Sequence, residues 1–65
     1  MLKKYKYEYC VLDDLGSNID CFEYSNIGYQ KAEILAKETP KSRILKVTYD
    51  DNENEISCIC VFENE

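Results

Sequence analysis

Histidine and tryptophan are missing from this sequence, and proline and glycine are scarce, at one and two residues. Without histidine there is no Ser-His-Asp or Cys-His nucleophile system, no neutral-pH proton shuttle and no imidazole for a catalytic zinc. With glycine only at positions 16 and 28, neither G-x-G-x-x-G nor G-x-x-x-x-G-K-[ST] can be written, which excludes the usual phosphate-cradling loops. No apolar run approaches the ~18–20 residues of a membrane span. The basic start, Lys3-Lys4-Tyr5-Lys6, is followed by no apolar signal core. Base is also missing from one end: residues 47–65 hold no Lys or Arg but six acids, Asp50, Asp51, Glu53, Glu55, Glu63 and Glu65. Eight Lys/Arg against thirteen Asp/Glu leave a net charge of −5, which repels phosphate backbones and argues against direct nucleic-acid binding. The expectation is a cytoplasmic chain with no membrane partner, whose four cysteines stay reduced.

What is present reads as one small α+β domain over residues 1–65. A chain this short buries only about 60% of its unfolded surface, so a partner has stabilisation to add. Lys4 to Leu12 alternates, with Tyr5, Tyr7, Tyr9 and Val11 on one side and Lys6, Glu8, Cys10 and Leu12 on the other. That is the period of a half-buried strand. Asp13 to Asn18 is turn chemistry, and alternation resumes from Ile19 to Tyr24, making a hairpin. With Asp14–Ser17 as the loop, Cys10 faces Cys21 and Tyr9 faces Phe22; a tighter turn at Gly16-Ser17 staggers the cysteines but keeps every residue on its face.

Ser25 or Asn26 caps a helix from about Ile27 to Glu38 or Thr39, which Pro40 ends. Its inner stripe is Gly28, Ala32, Leu35, Ala36 and Thr39, small enough for close approach to a sheet, with Glu33 and Lys37 paired on the outside. A second hairpin spans Arg43–Tyr49 and Ile56–Phe62. With Asp51–Asn54 as its loop, Val47 faces Cys58 and Leu45 faces Cys60, and these four, with Tyr49, Ile56 and Phe62, form the expected inner face. The whole is ββαββ, a four-stranded, mainly antiparallel sheet with one helix on one face.

Candidate chemistry is sparse. Cys58 and Cys60 are expected inside and Cys10 and Cys21 on the opposite face, so four thiolates cannot converge on zinc. Asp50-Asp51-Asn52-Glu53-Asn54 opens like a calcium loop, but Glu55 replaces the required glycine and Val61 the final glutamate. Tyr5, Tyr7 and Tyr9 could stack bases, although the same face is needed as core. No catalytic group, cofactor or metal ligand is assigned, and the chain is read as a non-enzyme.

The informative feature is the second sheet face. Leu12, Ile19, Ile44, Ile59 and Val61, with Cys10 and Cys21, are too apolar for plain surface, and one helix cannot cover both sides. The expected partner-binding set is therefore Leu12, Ile19, Ile44, Ile59 and Val61 for contact, with Asp50, Asp51, Glu53 and Glu55 steering a basic protein partner. In size, acidity and composition the chain is similar to small non-enzymatic proteins of phages and mobile elements, several of which inhibit host enzymes by offering acidic surface in place of nucleic acid. That likeness implies an inhibitor acting by surface occupation of a nucleic-acid-handling protein. The alternative is a structural homodimer or accessory subunit pairing through the open face.

Overall fold

The computed structural model describes residues 5–64. The order is β1 (Lys6–Leu12), β2 (Asn18–Glu23), α1 (Asn26–Glu38), β3 (Arg43–Tyr49) and β4 (Glu55–Glu63). The strands form one open sheet in the order β2-β1-β3-β4, every neighbouring pair antiparallel. This is the expected α+β ββαββ fold. Lys3 and Lys4 of the basic start lie outside the described residues.

The helix forms where its caps direct it. Ser25, extended in backbone, accepts from the Gly28 N–H at 3.0 Å, and the Gly28, Ala32 and Ala36 stripe is buried. Gly28 is required by contact: a Cβ there would sit 1.8 Å from the Glu23 carbonyl oxygen, so the helix rests directly on the chain leaving β2. Ile27 and Ile34 face solvent, and Glu33 pairs with Lys37 at 3.7 Å. At the other end the Ser42 hydroxyl, 2% exposed, donates to the Ala36 carbonyl at 2.7 Å. The Asn64 side-chain amide donates to the carbonyls of Ala36 at 2.8 Å and Thr39 at 3.0 Å, and its backbone N–H to Ser42. Carbonyls at the C-terminal end of α1 thus accept from side chains outside the helix, in addition to the Thr39 N–H that caps Ala36.

The core follows from how the two hairpins meet. Val11 pairs with Ile44 and Tyr9 with Lys46 across β1 and β3, so the even-numbered residues of β3 share the helix side. Val11, Ala32, Ala36 and Ile44 are fully buried there, with Tyr9, Phe22, Tyr29, Leu35 and Phe62 packed around them. This overturns the expected orientation of the second hairpin. Ile44 is core, not contact surface, while Leu45, Val47, Tyr49, Cys58 and Cys60 lie on the open face. The pairing itself is as expected at Val47–Cys58 and Leu45–Cys60. Register shifts skip Ile56 and Val61, so β4 bulges twice, and the second bulge brings Phe62 opposite Ile44 and against the core. A third shift skips Ile19 on β2.

Candidate functional site

On the open face, Cys21, Cys10, Leu45 and Cys60 lie side by side across all four strands, and the next rung reads Glu23, Glu8, Val47, Cys58. Leu12 and Tyr49 extend this apolar centre toward the two ends of the sheet. Cys10 and Val47, each 5% exposed, are shielded by their neighbours alone, since α1 lies on the other side. Cys10, Leu12, Leu45, Val47, Tyr49 and Cys58 line an open depression of about 260 Å³, with Glu55 and Asn18 at its margin. Lys6, Arg43, Glu23, Glu55 and Glu63 stand toward the ends and edges of this face, and Glu8 on β1 lies directly beside Val47. The arrangement is an apolar patch across β1, β3 and β4 bordered by charged side chains.

Two expectations about the thiols are corrected here. Cys10 and Cys21 are not free: they are joined in a disulfide, with Cα atoms 4.0 Å apart. Directly opposed residues of an antiparallel pair bring their side chains together without moving the backbone. Cys58 and Cys60 are not core residues but exposed free thiols. All four cysteines therefore share one face. Among the described residues no group of three or more His, Cys, Asp or Glu is placed to hold a metal ion.

Of the expected contact residues, Leu12 lies on the open face, half-buried. Ile59 pairs with Lys46 and so lies on the helix side, yet it is 58% exposed because α1 packs on β2, β1 and β3 and leaves β4 largely uncovered. Ile19 and Val61 are bulge residues, both exposed. Sequence reasoning missed Leu45, Val47 and Tyr49 as open-face residues. Pairing β3 to β1 through Val11 and Ile44 places those two residues under the helix and sends the odd positions outward, and no local pattern in the sequence carries that pairing.

The acidic turn is built by one of its own acids. Asp50 Oδ1 accepts from the N–H groups of Asn52 at 2.8 Å and Asn54 at 3.0 Å, and Glu53 takes φ 62°. The first hairpin repeats this: Asp13 Oδ1 accepts from Leu15 and Ser17, and Gly16 takes φ 82°. Asp50 thus has the structural duty of Asp13, and Asp51, Glu53 and Glu55 carry the exposed acidity. Glu53 lies 3.9 Å from Lys6, both side chains exposed, a pair of little energetic consequence.

On the helix side the tyrosines do less core work than expected. Tyr9 packs edge-on to Tyr29, with ring centroids 5.1 Å apart, and reaches the core. Tyr7 and Tyr24 remain exposed, their rings 5.1 Å apart, with the Lys46 ammonium 4.7 Å and 4.9 Å from the two centroids. The ammonium lies over the ring faces, where a cation is favoured. Burial raises the Tyr9 hydroxyl above its ordinary pKa, and Tyr24 adds to the rise. Tyr49 is raised by burial and then by its hydrogen bond to Glu8.

No helix among the described residues is long and apolar enough to cross a membrane. Compared with known proteins, the chain matches no family profile, no curated sequence and no solved structure.

Proposed function

We propose that this chain is a non-enzymatic protein-interaction module that acts by occupying a partner's surface. The observation that carries the reading is the open sheet face, an apolar centre of Leu12, Leu45, Val47, Tyr49 and Cys58 with no second layer over it among the described residues and charge around it, Glu8 reaching in beside Val47. The molecule measures 43 × 24 × 15 Å, so this broad face can offer the roughly 800 Å² per partner that a standard interface needs. Asp51, Glu53 and Glu55 at one end of the sheet supply attraction toward a basic partner, in keeping with an inhibitor that covers a nucleic-acid-handling protein.

Leu45→Lys tests the face. In the monomer the lysine stem lies along the sheet and its ammonium reaches water, so thermal stability changes little. In an interface the same charge is desolvated, and a micromolar complex is lost. Capture from lysate by wild type but not by Leu45→Lys, at low salt, is the expected result. Equal capture by both leaves the face as plain surface. Sedimentation of the wild type separates a foreign partner, with the free chain monomeric, from pairing of two copies.

A further inference from the structure

Strand β4 differs from every other strand in what it leaves open. At nine residues it is the longest strand and stands at the sheet edge, and among the described residues it pairs only with β3. Its outer row of backbone N–H and C=O groups has no ladder. Edge strands of this kind are normally guarded by charge, proline, shortness or a covering element. The opposite edge, β2, has such guards: six residues, Asp20 and Glu23 along it, and α1 packed over it. Between Glu55 and Glu63, β4 carries no charge and no proline, and α1 leaves it largely uncovered. Ile56, Ile59 and Val61 are 50%, 58% and 40% exposed, and Cys58 and Cys60 are exposed on the other face. Apolar side chains thus project from both faces of an unpaired edge. The bulges at Ile56 and Val61 bound its regular tract to Ser57–Cys60.

We propose that β4 receives an extended segment of a partner protein as a fifth strand, apolar in its middle and carrying Lys or Arg at both ends. This rests on the reading of the chain as an interaction module and adds a second element of contact to the open face. Adding a strand satisfies the edge backbone directly and covers Ile59 on one side and Cys58 and Cys60 on the other. The basic ends follow from charge: Glu55 and Glu63 flank the tract, and residues 47–65 hold six acids and no base. The same charge disfavours a second copy as occupant. Two β4 strands set antiparallel about Ile59 would place Glu55 of each opposite Glu63 of the other, and like charges directly opposed destabilise a sheet.

The probe is a labelled nine-residue peptide of alternating Val and Thr with two lysines at each end, measured by fluorescence anisotropy at low salt. Saturable one-to-one binding is expected, with slowed amide exchange across Ser57–Cys60. Replacing the central probe residue and the one after it by Pro-Pro removes ladder donors and should weaken binding at least about tenfold. Ile59→Lys, at an exposed position, places a guard charge on the edge and should weaken it by a similar factor, with an unchanged thermal melt as the control for folding. Glutamates in place of the probe's lysines should abolish binding. No saturable binding of the lysine-ended probe, or equal binding of the Pro-Pro probe, overturns the proposal. So does a wild type that sediments as a dimer with the Ser57–Cys60 amides already protected, because the occupant is then a second copy. Leu45→Lys should bind the probe normally, so failure of the edge proposal and failure of the open-face reading are separate results.

Discussion

Cys10 and Cys21 sit opposite one another on β1 and β2, and their disulfide closes the first hairpin. Closing a loop of this length restricts the unfolded chain, and replacing both residues by alanine should cost about 2–3 kcal/mol in urea unfolding. Under denaturing conditions without reductant only Cys58 and Cys60 should react with a thiol reagent, and after reduction all four cysteines. Reaction of all four before reduction would contradict the pairing. The helix terminus offers a second residue-level test. Asn64→Ala strips hydrogen bonds from the carbonyls of Ala36 and Thr39, and should cost about 1–2 kcal/mol. Tyr9 and Tyr49 give stability a pH limit. Both are raised above the ordinary 10.0 by burial, so the unfolded chain ionises first. Their contribution is complete below pH 10.0 and is lost as pH rises through the folded values. Urea midpoints should therefore fall on the alkaline side, with two tyrosines lagging in the phenolate absorbance.

At the level of elements, the two hairpin turns amount to an experiment already set up in the chain. Asp13-Asp14-Leu15-Gly16-Ser17 and Asp50-Asp51-Asn52-Glu53-Asn54 adopt the same conformation, with positive φ on the fourth residue, but only the first has glycine there. Glu53→Gly should stabilise by about 0.5–1 kcal/mol, while Gly16→Ala, with nothing within 4 Å of its new Cβ, should destabilise by about 1 kcal/mol from backbone strain alone. Gly28→Ala should cost about 2–3 kcal/mol despite alanine's better helix propensity, because the added carbon meets the Glu23 carbonyl. Thermal melts of the three variants, two down and one up, check the set. The elements themselves were legible because alternation from Tyr5 to Val11 and the small-residue stripe Gly28, Ala32, Ala36 each have one reading. The facing of the second hairpin was not. Ile44 and Phe62 on one side and Leu45, Val47, Cys58 and Cys60 on the other are both apolar enough to be core, and Phe62 changes sides only through the bulge at Val61. Long-range pairing of Val11 with Ile44 made the choice, and local pattern does not contain it. Ile44 and Ile59 of the expected contact set moved for that reason, although the existence of an uncovered apolar face did not depend on it.

For the molecule as a whole, the proposed association divides its work between charge and shape. In that proposal the sheet face and the β4 edge supply area, while the acids at the β3–β4 end create a field that acts before contact. Fields of this kind alter the rate of encounter more than the lifetime of a complex, because the charges sit at the rim. Asp50 has to be left out of any test, since its carboxylate holds the turn together through Asn52 and Asn54, and removing it would change shape as well as charge. The variant that spares the Asp50 turn is the triple change Asp51→Asn, Glu53→Gln and Glu55→Gln, all at exposed positions. Its melting temperature should match or slightly exceed the wild type, because a net charge of −5 becomes −2 and self-repulsion falls. With the lysine-ended probe, or with a captured partner, stopped-flow mixing at low salt should show association slowed about three- to tenfold. Dissociation should change by less than about twofold, as expected for rim charges. Raising the salt should slow the wild type toward the variant and leave the variant nearly flat, since screening removes what the substitutions have already removed. An unchanged association rate would mean that these acids only keep the turn solvated, and that contact at the sheet face and edge proceeds without their help.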